Sequence, residues 1–191
     1  SMRIGIFGGT FNPPHNGHLR LAKTFLEQAS VDEVWLMVSP QNPFKVGEDL
    51  PADEIRLEMV NLALQGENRI KASDFEFHLP KPSYTWNTLQ ELSKCYPKNE
   101  FVLLIGGDNW GAFNRWSHHE EILQNYSVVV YPRATDKIDP GSLPSNVKLL
   151  SVGNINVSST EIRNLLRKNI SAKDLLPPSV AEYLSDNPIY R

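Results

Sequence analysis

His15 and His18 stand three residues apart, directly after Gly8-Gly9-Thr10-Phe11-Asn12-Pro13-Pro14. Imidazoles at i and i+3 share one side of a helical turn, where both can donate hydrogen bonds to one anion. Gly8 and Gly9 carry no side chains, so backbone N–H groups can approach a phosphate closely. Pro13-Pro14 restricts the turn that presents the histidines. A helix beginning near Gly17 would aim free N–H groups and the positive end of its dipole at the same spot. The string differs from the dinucleotide GxGxxG pattern and lacks the Gly-Lys-Ser/Thr of a P-loop. Taken alone it is either a phosphate site or a tight strand-to-helix turn bearing two surface histidines.

A second constellation is Val157-Ser158-Ser159-Thr160-Glu161-Ile162-Arg163. Ser158 with Glu161 fits the S-x-x-E capping box, and Ile162, Leu165 and Leu166 give the following helix an apolar face. A well-capped helix explains those residues by itself. Ser159 and Thr160 add hydroxyl donors, however, and Arg163 adds a planar cation one turn in, which makes a second anion site. Two such helix starts in one chain suit a long polyphosphate held at both ends.

The pair of strings resembles the two signatures of the nucleotidyltransferases with a (H/T)xGH motif, whose later signature has the form SSTxIR. Between them, Pro82-Ser83-Tyr84-Thr85-Trp86-Asn87-Thr88-Leu89, and Gly106-Gly107-Asp108 followed by Trp116, are similar to the bacterial nicotinate-nucleotide adenylyltransferase branch. The resemblance covers nearly the whole chain. It implies a Rossmann-like fold and adenylyl transfer from ATP to nicotinate mononucleotide, giving deamido-NAD and pyrophosphate. It further implies His15 and His18 on the ATP phosphates, with Ser158, Ser159 and Arg163 on the β and γ phosphates from the other side. Gly8, Gly9, Thr10 and Phe11 would line the nucleotide cleft, and Gly106 and Asp108 would meet the adenosine ribose and its neighbours. Thr85 and Trp116 would frame the nicotinate ring. Lys45 would approach the mononucleotide phosphate, although Phe44 precedes it where the family often has histidine. A pantetheine-phosphate adenylyltransferase shares both phosphate motifs, and a catalytically silent nucleotide-binding module is the reading from a different class.

The reaction has a simple physical basis. The acceptor phosphate is already a nucleophile, so no general base is needed. The protein must align two anions and neutralise charge growing on the pyrophosphate side. Mg²⁺ is expected to enter with ATP, held by phosphates and water rather than by a protein cage. Selectivity for a nicotinate carboxylate is expected from free N–H groups at a helix start near Thr85.

The elements that must place these residues alternate between strand and helix. Apolar runs at Ile4–Phe7, Val34–Val38, Phe101–Ile105 and Val128–Tyr131 read as strands, as do the less regular stretches Ile70–Phe77 and Val147–Val152. Helical periodicity follows Gly17, follows Asp53 up to a stop at Gly66, and runs from Ser83–Thr85 to before Pro97. An aromatic-rich helical stretch continues to about Gln124, and helix dominates after Val152. Residues 41–51 and 134–146 read as loops. This alternation predicts an α/β fold, a Rossmann-like doubly wound parallel sheet with helices on both faces, with ligands at the carboxyl ends of the strands. Residues 1–191 are expected to form one domain, and Ser1, ahead of Met2, reads as a remnant of expression-vector sequence.

The chain has 191 residues, a formal net charge of −3 and one cysteine, Cys95. The absence of a basic run argues against a large nucleic-acid footprint, and one cysteine precludes an intrachain disulfide. No apolar stretch reaches membrane-spanning length and no signal-peptide pattern is visible, so a soluble cytoplasmic protein is expected. The oligomeric state is open. Asp53, Glu54, Arg56 and Glu58 read as a solvated helix face. His118-His119 reads as an exposed helical turn, and His78 and Cys95 as structural.

Overall fold

In the computed structural model, residues 1–45, 50–133 and 135–190 are described, with the side chain of Lys45 outside that set. Six parallel strands form one sheet in the order β3-β2-β1-β4-β5-β6. They are β1 (Arg3–Gly9), β2 (Glu33–Val38), β3 (Ile70–Ser73), β4 (Glu100–Gly106), β5 (Ser127–Tyr131) and β6 (Val147–Leu149). The helices are α1 (Asn16–Gln28), α2 (Asp53–Ala63), α3 (Thr85–Cys95), α4 (Gly107–Gly111), α5 (His119–Asn125), α6 (Ser159–Arg167) and α7 (Pro178–Asp186). The strand order is that of the doubly wound fold, and the expected α/β architecture is present.

Strand alternation explains why both faces are covered. Phe7, Val102, Leu104 and Val129 turn to one face and pack with Leu21, Ala22 and Phe25 of α1 and Val60 of α2. Ile4, Ile6, Leu103, Ile105 and Val128 turn to the other and meet Leu89 and Leu92 of α3 and Ile122 of α5. A third apolar cluster lies on the far side of α2, where Met59 and Ala63 pack with Ile162 of α6 and Val180 and Leu184 of α7. No helix among the described residues is long and apolar enough to cross a membrane.

Several expectations need correction. The stretch Ile70–Phe77 is not one strand: β3 stops at Ser73, and Phe75–His78 winds into a 3-10 turn. Its first turn is tied by Ser73 Oγ, which accepts from Phe75 N–H at 3.2 Å. The last strand ends at Leu149 rather than Val152. The aromatic-rich stretch divides into α4, a 3-10 turn over Phe113–Arg115, and α5. Asp53 is not the cap of α2; Ala52 holds that position and Asp53 opens the first turn. Most consequential, Arg56 is not solvated. Its side chain is 0% exposed, on the same helical stripe as Met59, Val60 and Ala63.

Candidate active site

The order reverses at β1 and β4, whose carboxyl ends carry Gly8-Gly9 and Gly106. A ligand crevice is expected there, and two chambers open at that edge. One, of about 430 Å³, is lined by Gly8, Gly9, Thr10, Ser39, Thr85 and Trp116, among others. The second, of about 720 Å³, is lined by His15, His18, Arg133, Gly153, Ser158 and Ser159, among others. Tyr131, at the end of β5, borders both.

The histidines are built into the first turn of α1. His15 is its N-cap, and its Nδ1 accepts from the Gly17 N–H at 3.0 Å. His18 Nδ1 accepts from the His15 N–H at 3.0 Å. This is a capping box made of imidazoles. With each Nδ1 occupied as an acceptor, the neutral ring carries its proton on Nε2, so each histidine has one N–H to offer a ligand. The rings stack 3.7 Å apart at centroid. Burial holds His15 down at about 4, and burial together with the neighbouring His15 holds His18 well below its ordinary value. Both are neutral donors at physiological pH. Phe11 is 1% exposed and meets the His18 ring edge-on at 4.9 Å, so it backs the histidine instead of lining the cleft.

The distant Ser158–Arg163 string comes to the same turn. Ser158 caps α6, accepting from the Glu161 N–H at 3.1 Å. Ser159 Oγ donates to the Pro13 carbonyl at 3.0 Å, and Arg163 Nη1 donates to the Asn12 carbonyl at 2.8 Å. The Tyr190 hydroxyl donates to Asn12 Oδ1. Ser158 and Ser159 thus share a chamber with both imidazoles, whereas Arg163 grips the back of the turn and also reaches Thr160 Oγ1 at 3.2 Å. Gly17 permits this junction. A Cβ there would lie 2.8 Å from Ile155 Cγ2 and 2.9 Å from both Val157 Cγ1 and His15 Cε1, so only glycine lets the 155–157 segment close on the helix start.

In the smaller chamber, a Cβ on Gly8 would meet no protein atom nearer than the Met37 carbonyl at 4.0 Å, so its absence leaves room in the cleft itself. Thr85 begins α3, whose cap residue Tyr84 makes no side-chain cap bond, so the helix start faces the chamber without a competing acceptor. Trp116 rests on Phe113, with centroids 5.1 Å apart. Gly106 ends β4 and lines this chamber, whereas Asp108 lies outside both chambers, paired at 3.3 Å with Arg133 of the larger one. Lys45 closes a 3-10 turn over Pro43–Lys45, and its expected phosphate contact falls outside the described residues.

Three residues here were not assigned to the site from the sequence. Glu76 lines the small chamber with its carboxyl raised by burial, against the opposing hydroxyls of Thr88 and Ser39. Thr88 Oγ1 donates to Glu76 Oε2 at 2.7 Å. Burial and Asp108 raise the Tyr131 phenol, which therefore remains a donor between the chambers. Arg56 lies beneath the floor. Among the described residues no three His, Cys, Asp or Glu side chains gather as metal ligands.

Residues 6–165 match the cytidylyltransferase-like family. The chain is 44% identical over 185 residues to a probable nicotinate-nucleotide adenylyltransferase of Bacteroides thetaiotaomicron, covering 97% of this chain and 92% of that one. It is 42% identical over 192 residues to one of Flavobacterium johnsoniae, covering 100% of both. A putative nicotinate-nucleotide adenylyltransferase from Vibrio parahaemolyticus superposes with a TM-score of 0.74 at 25% identity, over 100% of this chain and 96% of that one. The fold is shared with Plasmodium falciparum nicotinic acid mononucleotide adenylyltransferase complexed with NaAD, at a TM-score of 0.84 and 20% identity, covering 100% and 98% of the two chains.

Proposed function

The chain belongs to the cytidylyltransferase-like family and, within it, to the nicotinate-nucleotide adenylyltransferases, and on that premise we propose which residues carry the reaction and where each substrate sits. ATP and nicotinate mononucleotide react to give nicotinate adenine dinucleotide and pyrophosphate, a step of NAD biosynthesis. An acceptor phosphate oxygen attacks the α-phosphorus of ATP, the bond to the β-phosphate bridging oxygen breaks, and that oxygen leaves with pyrophosphate. No covalent intermediate with the protein forms.

The larger chamber takes the triphosphate. His15 and His18 donate their Nε2 protons to phosphate oxygens, and the facing helix start adds the Ser158 hydroxyl and the backbone N–H of Ser159, whose own hydroxyl proton is held by Pro13. Arg163 contributes as a cation behind the turn it grips. The neutral imidazoles stabilise by directed hydrogen bonds, and their arrangement does not have to change as charge develops. Mg²⁺ is the divalent cation we expect, carried in on ATP; the described side chains offer it no ligand cluster, so no step is assigned to it.

The smaller chamber takes the acceptor. Gly8, Gly9 and Thr10, read from the sequence as ATP-binding, line this chamber, and we assign them to the junction where the acceptor phosphate meets the α-phosphate of ATP; Trp116 stacks on the acceptor ring, and the open start of α3 at Thr85 meets the carboxylate. Gly106 and Asp108 flank the adenosine side, and Lys45 is assigned to the mononucleotide phosphate. We place the protein in the cytoplasm, as one domain.

The observation that carries this reading is that both histidine Nδ1 atoms are spent on backbone N–H groups, in a chamber shared with Ser158 and Ser159. Pyrophosphate release is measured with ATP and, in turn, nicotinate mononucleotide, nicotinamide mononucleotide and phosphopantetheine. Preference for the first is expected. Turnover with phosphopantetheine alone would overturn the acceptor assignment, and tight ATP binding without turnover of any acceptor would support a silent nucleotide-binding module.

A further inference from the structure

Arg56 is fully buried, on α2 and away from both chambers' walls. A cation in that position needs partners, and it has four. Nη1 donates to the Thr10 carbonyl at 2.9 Å and to the Ser39 carbonyl at 2.8 Å. Nε donates to the Pro51 carbonyl at 3.0 Å, and Nη2 pairs with Asp53 Oδ1. The same Asp53 oxygen accepts from the Gln41 N–H at 2.9 Å.

Thr10, Ser39 and Gln41 all line the smaller chamber, and they leave different strands, Thr10 from β1 and the other two from β2. The ladder between those strands ends at Gly9 and Val38, followed by one further bond from the Ser39 N–H to the Gly9 carbonyl at 2.8 Å. Beyond that point it is the guanidinium, not the sheet, that fixes one exit against the other. We infer that Arg56, with Asp53, is a positioning residue that sets the separation of the Thr10 and Ser39–Gln41 walls and so the fit of the acceptor mononucleotide. Guanidinium suits the task because its planar fork serves several carbonyls at fixed angles, which an ammonium does not. The inference rests on the acceptor occupying the smaller chamber.

The test uses Arg56→Lys and, as a second variant at the partly exposed partner of the pair, Asp53→Asn, whose side chain is 22% exposed in the wild type. Wild-type turnover with nicotinate mononucleotide is measured first, and its absence would remove the acceptor assignment. In both variants the KM for the acceptor rises, by about tenfold or more in Arg56→Lys, which is the loss of about one charged hydrogen bond. The KM for ATP stays within about twofold. Hydrogen exchange is read on the same proteins, whether or not turnover is found. Amides of 8–12 and of 38, 39, 41 and 42 exchange faster, while those of Ser127–Tyr131 do not. A general fall in kcat with both KM values unchanged, or exchange that rises equally over the sheet, would reduce Arg56 to a stabilising role and overturn the inference.

Discussion

Acidification tests the imidazole capping box directly. In the folded protein Nδ1 of His15 accepts from the Gly17 N–H, so a proton placed there removes the cap and charges a side chain that is 6% exposed. The group titrates near its ordinary value of 6.5 in the unfolded chain and at about 4 in the folded one. A folded pKa below the unfolded one means that the unfolded state binds more protons between those values. Stability is therefore complete above about pH 6.5 and is lost as pH falls towards 4. With about 1.4 kcal/mol for each tenfold change, His15 costs about 2 kcal/mol at pH 5 and about 3 kcal/mol at pH 4, relative to neutral pH. His18 shifts in the same direction and adds to the loss. The comparison protein is His15→Asn, because asparagine caps a helix well but does not titrate. Urea unfolding at pH 7 and pH 5 should show the wild type losing about 2 kcal/mol more than the variant. Parallel losses in the two proteins would mean that His15 is not buried neutral, and the tautomer argument would fail with it.

Other expectations concern turnover. His18→Ala should lower kcat by roughly 10²–10³ with a much smaller change in ATP affinity, as for a donor that acts on developing charge; unchanged turnover in a folded protein would remove His18 from the chemistry. Gly8→Ala should keep or slightly raise the melting temperature, since the new methyl meets no protein atom within 4.0 Å, yet raise the acceptor KM by intruding on the cleft. Trp116→Ala should raise the acceptor KM and leave the ATP KM alone, and steady-state kinetics with each substrate varied would separate the two.

The fold was legible where burial and periodicity agree. The central strands β1, β2, β4 and β5 carry continuous apolar runs because both sheet faces are covered, and each was expected within a residue or two. The edges were less legible. Beyond Ser73, Phe75 and Phe77 keep an apolar alternation, but a side-chain bond from Ser73 curls the backbone away from the ladder. The histidine and serine strings were visible as chemistry, and their convergence was expected from the resemblance. What local sequence does not encode is who stands opposite. Arg56 sits among acidic neighbours and so reads as solvated, while its carbonyl partners at Thr10 and Ser39 lie 46 and 17 residues away. The stripe shared with Met59, Val60 and Ala63 was the available signal. Phe11 was expected on the cleft because it belongs to the motif, but its apolar ring gains more by packing behind His18. Arg163 carries the right charge one turn into α6, but the bend at Asn12 decides where that charge is directed.

The bond between Asn12 and Tyr190 ties the tail of the sequence to the histidine turn. Its two ends are separated by 178 residues. The last strand ends at Leu149, so shortening the protein by its final two residues removes no strand pairing yet cuts one of the ties on the bend.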